Sequence, residues 1–69
     1  MTSTPHLLLV EDDENDVFFL RRALQSTGVP VQLHVASDGR QAVDYLLGRG
    51  QYQDRTAHPL PSLVLLDLK

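Results

Sequence analysis

The chain contains two short apolar runs, and each run leads directly into acidic residues. The first is LLLV at residues 7–10, followed by Glu11 and Asp12, and the second is LVLL at residues 63–66, followed by Asp67. A continuous run of four apolar residues is typical of a strand that is covered on both faces of a parallel sheet. The chain is therefore expected to fold around two buried strands that both end in carboxylates.

Two amphipathic helices and a more polar strand are predicted between these runs. Apolar residues recur at helical spacing over residues 17–24, and the helix is expected to stop near Gly28, which tolerates a positive φ. Residues 31–36 alternate as a half-exposed strand does, which predicts a place nearer the sheet edge. A second helix is predicted over residues 38–47, with a capping box at its start. Residues 51–61, with two prolines, predict an exposed connection.

The predicted order of strand, helix, strand, helix, strand requires parallel strands joined by right-handed crossovers. Two helices barely cover both faces of such a sheet, and a chain of 69 residues buries only about 60% of the surface that its unfolded form exposes. We therefore expect an incomplete sheet whose third strand is an exposed, apolar edge. Such an edge favours self-association.

Composition excludes several classes of function. The chain has no cysteine, so thiolate metal sites and thiol nucleophiles are excluded. Its net charge is −3 and its six Lys and Arg residues are scattered, so direct nucleic-acid binding is not expected. No apolar run approaches the roughly 18 residues of a membrane span, and no signal peptide is evident, which predicts a cytoplasmic protein without membrane contact.

The segment VEDDEND at residues 10–16 concentrates five carboxylates. Asp13, Glu14 and Asp16 suit the first turn of a helix. Each carboxylate there contributes about 0.3–1 kcal/mol through the helix dipole, and Asp is a good N-cap. These three residues are expected to serve the helix start alone.

Glu11 and Asp12 come too early for that role, because they lie at the carboxyl end of a strand. Two like charges about 4 Å apart repel by about 1 kcal/mol in water. A cation between them relieves this repulsion, and oxygen-only ligands suit a hard ion, Mg²⁺ first. If the first and third strands are neighbours, about 4.8 Å apart, Asp67 converges on the same point at the strand ends.

Three segments, LLLVEDDENDVFFLRRAL, VASDGRQAVDYL and PSLVLLDLK, together resemble the receiver domain of bacterial two-component response regulators, the CheY-like superfamily. The acidic EDDENDV opening and the long Pro- and Tyr-containing link are similar to single-domain regulators of the phytochrome-associated kind. The resemblance implies an α/β, flavodoxin-like, doubly wound parallel sheet, here truncated to β-α-β-α-β with strand order 2-1-3. It also implies that residues 1–69 are the N-terminal portion of a single receiver domain, without the strand-four Ser/Thr and strand-five Lys of the family.

The resemblance further implies a role in phosphorelay signal transduction. A sensor histidine kinase, of phytochrome type by the subgroup resemblance, would pass a phosphoryl group to Asp67. The protein would then be a phosphoacceptor and not an enzyme. Mg²⁺ would be bound by the carboxylates of Glu11, Asp12 and Asp67 and by the backbone carbonyl of Lys69, and would neutralise charge during in-line transfer.

Several other functions use similar acidic residues. A haloacid-dehalogenase-like phosphatase also uses a strand-end Asp with Mg²⁺, but requires a second acid where Lys69 lies. A Ca²⁺ loop would use the alternating Asp12, Glu14 and Asp16, but Val17 replaces its turn glycine. A dinucleotide fold lacks its Gly-rich first turn. A truncated receiver that cannot be phosphorylated and acts only as a protein-interaction module stays open.

The remaining aromatic and imidazole side chains are assigned no chemistry. The three histidines share no spacing, so none is expected to be a ligand or a catalyst: His6, His34 and His58. Phe18 and Phe19 are predicted to make core and covering contacts. Tyr52 is expected to pack in a solvent-exposed loop, and contact with a kinase partner stays open.

Overall fold

A computed structural model describes residues 4–67 of the chain. The elements are β1 (His6–Val10), α1 (Glu14–Thr27), β2 (Gln32–Ala36), α2 (Gly39–Leu47), a short 3-10 helix (Gly50–Tyr52) and β3 (Leu63–Leu66). We call residues 48–62, between α2 and β3, the link. The predicted alternation of strands and helices is confirmed.

The three strands form one parallel sheet in the order β2-β1-β3. β1 lies in the centre, with Leu8 opposite His34 on β2 and opposite Val64 on β3. The α/β fold class and the strand order 2-1-3 are therefore confirmed. Since all strands run in the same direction, their carboxyl ends meet at one edge of the sheet.

Local capping determines both ends of α1. The Asp13 side chain accepts a hydrogen bond from the Asn15 amide at 2.9 Å, which satisfies a backbone donor in the first turn. At the other end Gly28 has a φ of 73°, and its amide donates to the Gln25 carbonyl at 3.2 Å. Both positions match the predicted helix start and stop.

Helix α1 covers the sheet only loosely. None of its residues is buried, and the aromatic side chains of Phe18 and Phe19 are 55% and 64% exposed. The prediction that these rings make core contacts is wrong for this structure, because they lie on the side of α1 that no described element covers. The two rings instead contact each other edge to face, and the Arg22 guanidinium lies 5.8 Å from the centre of the Phe18 ring.

The main core lies between the sheet and α2. Its buried side chains are those of Leu8, Val10, Ala36, Ala42, Tyr45 and Tyr52. The prediction that Tyr52 lies in an exposed loop is wrong, because its ring packs 5.1 Å from that of Tyr45 and is buried. The prediction that β2 lies nearer the sheet edge is confirmed, and its face with His34 and Ala36 is the one that α2 covers.

One arginine holds the link against the end of α2. The Arg55 guanidinium donates to the carbonyls of Tyr45 and Leu46, each at 2.9 Å, and to the carbonyl of His58 at 3.2 Å. The last carbonyls of a helix have no partner within the helix, so a cation is favourable there. The Tyr45 hydroxyl adds a second attachment by donating to the Pro59 carbonyl at 2.9 Å.

Strand β3 forms one edge of the sheet, and all four of its residues are exposed. The side chains of Leu63 and Leu66 are 57% and 63% exposed. The expected apolar edge is therefore present, and self-association through it stays a prediction. Neither α1 nor α2, nor any other helix within residues 4–67, is long and apolar enough to cross a membrane.

Candidate functional site

The hydrogen-bond ladder continues one residue past the strands at the carboxyl edge of the sheet. The Glu11 amide donates to the Ala36 carbonyl at 2.9 Å, and the Asp67 amide donates to the Val10 carbonyl at 3.2 Å. Glu11 and Asp67 are thereby brought side by side by backbone pairing. Backbone pairing within the sheet therefore positions both carboxylates at this edge.

The Glu11 side chain is buried at this edge, with only 4% of its surface exposed. Its Oε1 accepts a hydrogen bond from the Asp13 amide at 2.8 Å. Because Asp13 is the N-cap of α1, the Glu11 carboxylate also lies near the positive end of the helix dipole. These contacts stabilise a carboxylate that would otherwise be costly to bury.

Three carboxylates meet at the site. Glu11, Asp16 and Asp67 each offer one oxygen, and these oxygens lie within 4.8 Å of one another. Glu11 is buried, Asp16 is half-buried and Asp67 is exposed. Each pair of charges at this separation repels by about 3 kcal/mol at an effective dielectric constant of about 20. An oxygen-only donor set of this charge fits a hard divalent cation that keeps part of its water shell.

Several known proteins are similar to this chain in both sequence and fold. No family model matches it. The response regulator Rcp1 of Synechocystis sp. is 34% identical over 62 residues, which cover 90% of this chain and 40% of Rcp1. The structure of RPA3017, a response regulator in red light signaling of R. palustris, superimposes with a TM-score of 0.89 at 38% identity, covering 93% of this chain and 45% of that one. This chain has the sequence pattern and the fold of response-regulator receiver domains.

A second solved structure supports the same receiver assignment. The phosphorylated cyanobacterial phytochrome response regulator RcpA superimposes with a TM-score of 0.81 at 33% identity, covering 97% of this chain and 46% of that one. The receiver chain thus spans less than half the length of the relatives it matches. That residues 1–69 are the N-terminal portion of a single receiver domain stays a prediction.

Asp12 lies at the same edge of this receiver as Glu11 and Asp67. Its side chain is exposed, and together with Asp67 it borders a hollow that includes Ser37 and Asp38 at the start of α2. Of the predicted ligands, Glu11 and Asp67 thus meet directly and Asp12 borders the same edge. Lys69, whose carbonyl was the fourth predicted ligand, lies outside the described residues.

Sequence reasoning did not identify Asp16 as part of the site. The sequence pattern predicts only a helix-start role for Asp16, yet the receiver fold brings its carboxylate to those of Glu11 and Asp67. A signal was available, because Asp16 is the third residue after the Asp13 cap. In a capping box, the side chain at that position reaches back toward the chain that enters the helix.

The calcium-loop alternative disagrees with the receiver structure. A strand ends at Val10, and Glu14 already begins α1, so two of the three alternating acids lie in a helix rather than in a loop. An EF-hand places its acidic ligands in a loop between two helices. The alternation of acids along residues 12–16 therefore reflects a strand-to-helix junction.

Proposed function

We propose that this receiver accepts a phosphoryl group on Asp67 from a sensor histidine kinase and so transmits a signal. The observation that supports this most directly is the approach of the Glu11, Asp16 and Asp67 carboxylates to within 4.8 Å at the carboxyl edge of the sheet. Mg²⁺ is the cation proposed for these oxygens. Asp12 and the backbone carbonyl of Lys69 are proposed to complete the ligand set, as the family resemblance implies.

The chemistry assigned to Asp67 is nucleophilic. One oxygen of its carboxylate forms a bond to phosphorus while the bond from phosphorus to the kinase imidazole breaks, and the imidazole nitrogen keeps the electron pair. Asp67 suits this role because its side chain is exposed and can approach a partner protein. Mg²⁺, when bound, would screen the negative charge of the carboxylate and the phosphoryl group.

Glu11 is proposed to hold the metal in a preorganised position. Its carboxylate is buried and oriented by the Asp13 amide, so it needs little rearrangement when a cation arrives. Asp16 approaches from the first turn of α1 and would contribute a second carboxylate. The protein in this proposal is a phosphoacceptor that assists its own phosphorylation rather than an enzyme with a separate substrate.

The kinase partner is proposed to be of the phytochrome type. RcpA is a phytochrome response regulator, and RPA3017 is a response regulator in red light signaling. The identity to these proteins, 33% and 38%, supports the same class of partner for this chain. We place the exchange in the cytoplasm, with no nucleic acid or membrane taking part.

Phosphorylation of Asp67 can be tested by mass spectrometry. The chain is incubated with Mg²⁺ and acetyl phosphate, alongside Asp67→Asn and the control Asp54→Asn, which changes a carboxylate in the link. The proposal expects an added phosphoryl mass on the wild type and on Asp54→Asn, and none on Asp67→Asn. Labelling of Asp67→Asn would exclude Asp67 as the acceptor, and absence of label from all three would favour a protein-interaction module.

A further inference from the structure

A cluster of imidazole and phenol rings occupies the α2 side of the sheet, away from the carboxylates. Its members come from both strands of the β1–β2 pair, from α2 and from the link: His6, His34, Tyr45, Tyr52 and His58. The proposed phosphorylation uses none of these residues. The cluster therefore calls for a separate explanation.

Two histidines in this cluster are hydrogen-bonded to each other. Nδ1 of His6 lies 3.0 Å from Nε2 of His34, and the two ring centres are 5.1 Å apart. Such a bond needs a proton on one nitrogen and a lone pair on the other. The pair therefore persists while at most one positive charge is shared between the rings. A second proton would place two N–H groups and two cations against each other.

Ring contacts connect this pair to the link. The His34 ring centre lies 5.8 Å from that of Tyr45, which is in turn 5.8 Å from that of His58. The His58 ring also packs edge to face on Tyr52 at 5.2 Å. His6 touches the link through its backbone as well, since its carbonyl accepts a hydrogen bond from the Ser62 amide at 2.8 Å.

The surroundings of His34 oppose a positive charge. The titratable and charged groups near it are His6 from β1, Tyr45 from α2 and His58 from the link, and Arg21 on α1 also acts on it electrostatically. Burial lowers the pKa of His34 below its ordinary value of 6.5, and the positive charges of His6, His58 and Arg21 lower it further. The folded protein thus resists a proton that the unfolded chain accepts.

We propose that the His6–His34 pair is a proton-sensitive latch that holds the link against the sheet while its hydrogen bond is intact and releases the link when protonation of His34 breaks that bond. A group whose pKa is lowered by folding stabilises the fold above its unfolded pKa, about 6.5 for His, and that stability is lost as the pH falls from this value through the lower pKa of the folded protein. Ordinary Asp and Glu side chains titrate near pH 4, below this window. Mild acid therefore loosens the segment that leads into β3.

The latch can be tested by NMR on the isotope-labelled chain between about pH 8 and about pH 5. Imidazole nitrogen shifts follow the protonation of His34, and amide hydrogen exchange follows the link, including the His58 amide that donates to the Asp54 carbonyl at 2.8 Å. We expect link amides to lose roughly tenfold protection, after correction for intrinsic exchange, at the pH where His34 titrates. Unchanged protection through that titration would overturn the latch.

The His34→Gln variant serves as the matched control. Glutamine can hydrogen-bond to the His6 ring but takes up no proton in this range. We expect its link protection to be independent of pH where that of the wild type falls. A loss of equal size in His34→Gln would refute the latch. If His34→Gln does not fold, the wild type alone decides the question. Loss of link protection at the pH where His34 titrates supports the latch, and loss at a different pH refutes it.

Discussion

The backbone amide of Asp67 donates a hydrogen bond to the Val10 carbonyl at 3.2 Å, so the residue that follows β3 lies beside the residue that precedes Glu11. Val10 is paired with Leu66 in the sheet, which makes Glu11 and Asp67 equivalent positions on neighbouring strands. Equivalent positions in a parallel pair project from the same face. A slip of one residue in this register would turn Asp67 to the opposite face and separate the two carboxylates.

Replacement of Asp16 by Asn should weaken the binding of Mg²⁺ by at least about tenfold, because one of the three clustered carboxylates loses its charge. Asp44→Asn, on α2, makes the same change in net charge away from the site. Isothermal titration with Mg²⁺, or Mn²⁺ binding followed by electron paramagnetic resonance, compares the two variants. Equal affinities in both would show that Asp16 is not a ligand.

Replacement of Arg55 by Ala should lower the free energy of unfolding by about 1.5–3 kcal/mol. The substitution removes a cation that donates to the carbonyls of Tyr45, Leu46 and His58. Arg49→Ala removes an exposed arginine at the start of the link and should cost less than about 0.5 kcal/mol. Urea denaturation measures both, and a similar cost for the two substitutions would contradict the anchoring role of Arg55.

Two helix-terminating glycines should respond differently to alanine. Gly28 and Gly48 have φ values of 73° and 68°, so each substitution carries a backbone cost of about 1 kcal/mol. A Cβ at Gly28 meets nothing within 4 Å, whereas a Cβ at Gly48 would lie 2.9 Å from the Arg55 Nη2. We expect Gly48→Ala to be the more destabilising by about 1 kcal/mol in chemical denaturation. Equal costs for the two substitutions would mean that the Arg55 side chain adjusts without loss, and a larger cost at Gly28 would contradict the expectation outright.

The exposed edge at β3 should make the chain self-associate as its concentration rises. Leu63→Lys places a charge on the edge strand, where the wild-type side chain is 57% exposed, and should reduce the association. Leu60→Lys changes a link residue of similar exposure, 61%, and should leave it unchanged. Sedimentation velocity over a range of concentrations distinguishes the variants. A wild type that stays monomeric throughout, with a sharp and concentration-independent thermal transition, would disprove this expectation.

The buried phenol of Tyr45 should make the fold sensitive to alkali. Burial raises the pKa of Tyr45 above 10.0, and Tyr52 raises it further while Arg55 opposes the shift. A raised pKa stabilises the fold below the unfolded value of about 10, and this stability is lost as the pH rises through the folded pKa. Tyr45→Phe should lower the free energy of unfolding by about 1 kcal/mol at neutral pH. Between about pH 8 and about pH 10.5, the variant should lose less stability than the wild type does. Parallel losses in both proteins, measured by urea denaturation, would contradict this assignment.

Local features of the sequence predicted the elements well. The Asp13 cap, the Gly28 stop and the apolar runs that became β1 and β3 involve neighbouring residues only, so their outcome can be derived from a short stretch of chain. The acids at the strand ends also followed from the sequence, because parallel strands must share an edge. What failed was burial at single positions such as Tyr52 and Phe18, which depends on elements distant in sequence.

By itself, the sequence determined a parallel α/β sheet with Glu11 and Asp67 at the ends of two apolar strands. Periodicity and capping are local, and the direction of the strands then follows from the helical crossovers between them. Only the tertiary structure brought Asp16 into the carboxylate cluster and joined His6 to His34. Those contacts depend on how one helical turn and two strand faces are oriented in space, which no pattern along the chain specifies.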